Sequence, residues 1–183
     1  LLERYVSLFQ SYNKHTNLSA VRTEEGIWLK HIIDSLMLLR FEEVKGKLLD
    51  IGSGGGLPSI PLAIARKQLH VSMLDSVGKK VKACEHFIEQ LELKNANVIH
   101  GRAERLAQDE AYADKFDIVV SRAAFDDIVS PLSNDRVVAV QRGDGVAGGI
   151  SVDRVGSCGT ECGISAGDYN RSGRSVDRLR AVV

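Results

Sequence analysis

The residues best spaced for chemistry run from Asp50 through Gly52-Ser53-Gly54-Gly55-Gly56-Leu57 to Pro58. An acid stands two residues before a G-x-G-x-G turn. Gly52, Gly54 and Gly56 remove side chains where backbone must turn sharply and approach a ligand. Pro58 presets φ for a first helical turn, and the free N–H groups there favour a polar or anionic ligand. The dinucleotide fingerprint G-x-G-x-x-G needs a third glycine where Leu57 stands, and no G-K-[ST] follows to make a phosphate loop. Asp50 would repel a pyrophosphate. It can accept backbone N–H bonds from the loop, or face an ammonium group. The pattern favours a cationic or zwitterionic ligand such as S-adenosylmethionine over NAD or ATP. A plain strand–turn–helix corner is the alternative for this stretch alone.

A second acid, Asp75, lies 23 residues after Gly52 at the end of the next apolar run. There a carboxylate can accept from both hydroxyls of an adenosine ribose. Capping of the following helix is the plainer role. His31 and Asp34, three apart, can touch on a helix. Such a pair is either acid–base machinery or a local hydrogen bond. Lys79, Lys80 and Lys82 crowd a helix start, against the helix dipole. They face phosphates or form a solvated face. Arg22 and Lys30 join them as candidate RNA contacts, whose mark would be an affinity that falls with salt.

The elements that position these residues read as alternating helices and strands. Residues 1–15 form an amphipathic helix with Leu2, Tyr5, Val6, Phe9 and Tyr12 on the docking face. Asn13 to Ala20 is a loop. Thr23 caps a second helix with early acids Glu24 and Glu25, and with Trp28, Ile32, Leu36 and Leu39 on one side. Lys47–Ile51 is the first strand and about 58–67 the next helix. Val71–Leu74 is the second strand, and 78–93 a helix with Val81, Cys84, Ile88 and Leu91 inward. Asn97–His100 and Phe116–Ser121 are the third and fourth strands. A loop, Gly101-Arg102-Ala103-Glu104, follows the third. The alternation predicts an α/β fold with a parallel sheet covered on both faces. Asp50–Gly56, Asp75, Ala103–Glu104 and Arg122 then meet at one carboxyl edge, where such sheets bind ligands.

Composition sets bounds. The chain of 183 residues is one domain's worth, with zero net charge. That argues against a wholesale polyanion binder but leaves room for a local basic patch. No apolar run reaches membrane-spanning length and no signal peptide opens the sequence. The three cysteines, Cys84, Cys158 and Cys162, make no metal spacing with histidine, so no metal is expected. An odd count without a secretory signal suggests a cytoplasmic setting. The chain opens on Leu1 rather than Met, so an incomplete N-terminus is expected.

Five blocks resemble one family. They are Tyr12-Asn13 through Asn17-Leu18-Ser19-Ala20-Val21, then Trp28-Leu29-Lys30-His31-Ile32-Ile33-Asp34-Ser35-Leu36, then Leu49 through Pro61. Leu74-Asp75-Ser76-Val77-Gly78-Lys79-Lys80-Val81 and Ser121-Arg122-Ala123-Ala124-Phe125 complete the set. Together they cover roughly residues 4–125 and resemble the glucose-inhibited division protein B (RsmG) family, the bacterial small-subunit (16S) ribosomal RNA guanine-N7 methyltransferases. The resemblance implies a class I, Rossmann-like methyltransferase fold with N-terminal helices, and S-adenosylmethionine as cofactor. It implies cofactor contacts from Gly52 and Leu57, to which the turn itself adds Gly54, with Asp50 supporting the loop and Asp75 binding the ribose. Ala103 and Glu104 meet the adenine end, and Arg122 completes the set. Ribosomal RNA is the implied partner, and a monomer is expected. Guanine N7 carries a lone pair and no proton, so no residue is assigned as catalytic. Three alternatives remain: a related methyltransferase acting on a protein or small molecule, a non-catalytic cofactor-binding or RNA-interacting remnant, and a nicotinamide dehydrogenase, against which Leu57 stands.

After Phe125 the composition shifts. Residues 126–183 contain no Lys, Phe or Trp, and Ser151-Val152-Asp153-Arg154 recurs as Ser175-Val176-Asp177-Arg178. The family's helix, Lys-Pro-Gly turn and closing antiparallel strands are not legible there. Val137–Val140 reads as a strand and the rest as loop or disorder, part of the same domain at best. A shifted reading frame near residue 125 is the expected origin, and a gene fusion the alternative.

Overall fold

The computed structural model describes residues 1–42, 44–106, 109–112 and 115–122, and beyond these the backbone of five strands. Helix α1 (Leu2–Thr16) ends where Asn17 turns left-handed, at φ 50. Asn tolerates that conformation better than most residues. A second helical rod runs from α2 (Glu24–Ile27) through a π-helical stretch (Trp28–Ile33) and α3 (Asp34–Met37) into a 3₁₀ turn (Leu38–Arg40). Thr23 caps its start, the hydroxyl accepting the Gly26 N–H at 3.2 Å.

The π stretch corrects the expected apolar stripe. The buried positions are Ile27, Ile32, Ser35 and Leu38, while Trp28, Leu36 and Leu39 are only partly buried. Ile27 and Ile32 are five apart, a spacing that an i→i+5 turn brings onto one face and an α-turn does not.

Seven strands make one sheet in the order β3-β2-β1-β4-β6-β7-β9. They are β1 (Lys47–Ile51), β2 (His70–Asp75), β3 (Ala96–His100), β4 (Ile118–Arg122), β6 (Arg136–Gln141), β7 (Ile150–Val155) and β9 (Arg178–Arg180). The first five in this order run parallel, with Leu48 beside both Val71 and Ile118. Chain order reverses between β1 and β4, so the crevice for a ligand opens there. β5 (Asp127–Val129) and β8 (Gly163–Ser165) form a separate antiparallel pair.

The far end differs from expectation in two ways. The sheet is mixed, because β7 is antiparallel to β6 and β9 antiparallel to β7. The tail also holds strands beyond 137–140, where loop was expected. β-Branched residues recur along both strands, Val137, Val138 and Val140 on β6 and Ile150, Val152 and Val155 on β7, and suit strand pairing despite the polar composition around them.

Alternation along the central strands builds two cores. Leu48, Val71, Met73, Ile118 and Val120 face α1, α4 (Ser59–Ala65) and α5 (Gly78–Leu91). Leu49, Ile51, Leu74 and Val119 face the opposite way, with Leu106 of the short helix α6 (Ala103–Leu106) and Phe116. Strands β1 and β4 read as near-continuous apolar runs because both their faces are covered. Asp50 shares the face of Leu48 and lies beneath the helices.

Candidate functional site

The glycine turn leaves β1 and is pinned to β2. The Leu74 carbonyl accepts the N–H of Gly52 at 2.8 Å and of Ser53 at 3.1 Å. Gly52, Gly54 and Gly56 have φ of 75, 58 and 85°, the left-handed region that a side chain disfavours. Ser53 closes the turn by accepting from Gly56 and Leu57, and the Gly56 carbonyl accepts from Ile60 as α4 begins. Pro61 falls in the first turn of α4, where its missing N–H costs nothing.

The glycines divide by role. A Cβ on Gly54 would meet nothing closer than 3.9 Å. On Gly55 it would strike the Phe9 ring at 2.5 Å, and on Gly56 it would strike Ile60 at 2.4 Å. Gly54 therefore faces open space. Gly56, expected to make room for a ligand, makes room for a core isoleucine. Leu57 is buried with that same core.

Two carboxylates flank the turn. Asp75, at the end of β2, accepts the Gly54 N–H on Oδ2 at 3.0 Å and the Val77 N–H on Oδ1 at 2.9 Å. It thus fixes the turn and the approach to α5 together. Asp50 is fully buried, and its Oδ2 accepts the Ser59 hydroxyl at 2.6 Å, tying the end of β1 to the start of α4 across the loop. Its Oδ1 has no hydrogen-bond partner among the described residues. Burial pushes the Asp50 carboxyl up to about 7, against the opposing pull of the Ser59 hydroxyl and the Arg122 guanidinium.

Support comes from a face that sequence reasoning read only as docking surface. The Tyr5 hydroxyl donates to the Gly55 carbonyl at 2.7 Å, and the buried Cys84 thiol to the Gly54 carbonyl at 3.4 Å. Tyr5, Phe9 and Phe87 pack edge-on or tilted beneath the turn, with centroids 5.6 to 6.4 Å apart. Phe87 is wholly buried, whereas Ile88, expected inward, is only partly so. The aromatic residues at 5, 9 and 12 were the available signal.

The remaining candidates fall as follows. Gly101 donates to the Asp75 carbonyl at 3.1 Å, which brings the end of β3 to the same edge. Ala103 and Glu104 open α6 rather than continuing a loop. Arg122 ends β4 and meets Asp34 at 3.4 Å. His31 pairs with the Ser19 hydroxyl at 2.7 Å and with the Lys30 carbonyl at 2.9 Å. Burial first, and Arg122 second, pull its pKa down to about 4. The structure thus gives His31 to Ser19 and Asp34 to Arg122. Arg22 donates to the Asn13 carbonyl and to Asn17 Oδ1, so its guanidinium braces the 17–22 loop. Lys30, Lys79 and Lys82 are exposed and Lys80 is partly so. Ala123, Ala124, Phe125, Cys158 and Cys162 lie outside the described residues. No helix among the described residues is long and apolar enough to cross a membrane.

Chemically, the carboxyl edge of β1 and β2 offers one buried and one nearly buried acid, an open glycine face and a carboxylate oxygen with no partner among the described residues. Such acceptors fit a ligand that carries hydroxyls and positive charge. A parallel sheet with this glycine turn and an acid at the end of β2 defines a class I methyltransferase fold. Solved structures share it. A putative S-adenosyl-L-methionine-dependent methyltransferase from Methanococcus maripaludis superposes with a TM-score of 0.51 at 22% identity, over 76% of this chain and 63% of that one. Coclaurine N-methyltransferase superposes with a TM-score of 0.52 at 14% identity, over 76% of this chain and 43% of that one.

Residues 1–132 match the family model GidB, rRNA small subunit methyltransferase G, and the chain belongs to that family. Ribosomal RNA small subunit methyltransferase G of Geotalea uraniireducens is 47% identical over 124 residues, covering 68% of this chain and 55% of that protein. Its counterpart in Clostridium tetani is 40% identical over 122 residues, covering 66% and 51%. The chain spans about half the length of the curated relatives it matches.

Proposed function

We propose that this chain binds S-adenosylmethionine and transfers its methyl group to N7 of a guanine in small-subunit (16S) ribosomal RNA. The observation that carries the reading is the open Gly54 face between Asp50 and Asp75, in a chain of this family. Asp75 would take the ribose hydroxyls, since each carboxylate oxygen has a lone pair beyond its one backbone bond. Gly52, Gly54 and Leu57 would line the cofactor, Ala103 and Glu104 its adenine end, and Arg122 the β4 side. Asp50 holds the turn from beneath the crevice through Ser59.

When bound, the cofactor supplies a methyl group already activated by the sulfonium charge. The acceptor nitrogen carries no proton, so the chain needs no general base. Its residues have to orient the acceptor in line with the methyl group and keep water out. His31, held neutral against Ser19, serves the helical rod rather than proton transfer. The same reading places the protein in the cytoplasm, acting as a monomer.

Calorimetry with S-adenosylmethionine tests the first half. Saturable binding is expected, with a loss of about tenfold or more in Asp75→Ala at temperatures where that variant remains folded. Absence of binding by the folded protein overturns the reading. Labelled cofactor with small-subunit RNA tests the second half, and label in 7-methylguanosine is expected. Label in another nucleoside would overturn the N7 assignment alone.

A further inference from the structure

Arg122 and Asp34 stand 88 residues apart in sequence and join the end of β4 to the helical rod. The Arg122 side chain is 14% exposed and that of Asp34 33%, so the guanidinium is enclosed and the carboxylate partly solvated. Arg122 acts electrostatically on Asp50, His31 and Tyr5. Arg122 is also the last residue of β4, at the carboxyl edge beside β1 where the crevice opens, so its charge borders the crevice. A cation there opposes a cationic ligand unless a fixed anion answers it.

The rod is built to hold that anion. Asp34 directly follows the π-helical stretch, a distortion found often at functional positions. The stretch is braced at His31, whose ring meets Ser19 Oγ at 2.7 Å and whose carbonyl accepts the Ser35 hydroxyl. Ser19 is fixed in turn by Asn13, which accepts its N–H at 2.9 Å. Phe9 closes the other side of the His31 ring, at a centroid distance of 5.8 Å.

We propose that Asp34 is a positioning residue: it holds Arg122 on the β4 wall and offsets its charge, so that the crevice accepts a sulfonium. The inference rests on the cofactor reading and adds a residue to it. It makes a charge-specific demand. S-adenosylmethionine carries the sulfonium and S-adenosylhomocysteine does not, so loss of Asp34 must affect the first more than the second.

The test is calorimetric titration of the full chain with both compounds. Asp34→Asn is expected to weaken S-adenosylmethionine about tenfold and S-adenosylhomocysteine no more than about threefold. Asp34→Glu should recover most of the loss. Adding Arg122→Gln to Asp34→Asn should return the ratio of the two affinities toward the wild-type value, because the unanswered charge is gone. Unchanged affinities in Asp34→Asn overturn the proposal. So does an equal loss for both compounds, with or without a fall in melting temperature. Failure of the wild-type chain to bind either compound instead overturns the cofactor reading itself.

Discussion

The two sides of the glycine turn obey different rules. Below it, side chains of the core press against the loop backbone. Tyr5 bonds the Gly55 carbonyl, Cys84 the Gly54 carbonyl, and Phe9 and Ile60 occupy the space a Cβ would need at 55 and 56. Above it, Gly54 meets open space and Asp75 keeps unused lone pairs. Glycine thus serves packing on one side and access on the other, within three consecutive residues. Composition alone does not separate these uses. The identity of the opposing side chain does.

Substitution at the two kinds of glycine breaks the comparison most forcefully. Gly56→Ala places a methyl 2.4 Å from Ile60 Cδ1 and 2.8 Å from its Cγ1, at a φ of 85°. Overpacking and left-handed strain together should cost about 3 kcal/mol, read as a lower urea midpoint. Gly54→Ala meets no clash, and only its φ of 58° costs stability, about 1 kcal/mol. Its methyl projects toward the crevice, so cofactor affinity should fall more than stability. If the two variants lose stability equally, the division between packing and access is wrong.

The parallel half of the sheet was legible because its signals are local. Apolar runs at 47–51, 71–74 and 116–121 alternate with helical periodicity, and an acid stands at the last or next-to-last position of each of the first two strands. The helical rod was legible in place but not in phase. Nothing in single-residue preferences announces a π turn, and only the five-residue step from Ile27 to Ile32 records it. The loop after β3 was misread because Ala103 to Leu106 makes a helix of one turn, shorter than any periodic signal. Partners for Arg122 and His31 were out of reach for another reason. The contacts to Asp34 and Ser19 arise only once the rod and the 17–22 loop meet the sheet edge. Beyond residue 125, short β-branched runs lay within Gly- and Ser-rich sequence, and only one of five strands was read.

Two titrating groups sharpen the comparison in solution. Asp50 is raised to about 7 from the ordinary 3.8, so between about pH 4 and 7 the folded chain holds a proton that the unfolded chain lacks. Its contribution to stability is complete below pH 4 and is lost as pH rises to 7. His31 is lowered from 6.5 to about 4, so in nearly the same window the unfolded chain holds the extra proton. Its contribution is complete above pH 6.5 and is lost as pH falls toward 4. The two slopes oppose each other in the wild type. Asp50→Asn should therefore make stability rise between pH 4.5 and 6.5 relative to wild type, and His31→Gln should make it fall. The slope unmasked is on the order of 1 kcal/mol per pH unit at most, less for His31, whose ring is partly solvated. Urea midpoints at the two pH values decide it, and variants with unchanged slopes would show that neither group is held in the stated form.

The smallest change addresses the hydroxyl that joins packing to access. Tyr5→Phe keeps the ring among Phe9 and Phe87 but removes the donor to Gly55. A buried carbonyl then loses its partner, at a cost of about 1–2 kcal/mol. Burial holds the Tyr5 pKa well above its ordinary value, so the donor is present throughout the working pH range and the effect should not vary with pH. The Gly55 carbonyl lies two peptide units after the Gly54 N–H that Asp75 holds. Loosening it from below should therefore weaken S-adenosylmethionine binding by a few-fold at temperatures where the variant remains folded. A stability loss with affinity unchanged would mean that Asp75 alone sets the turn, and that the aromatic floor serves the core and not the site.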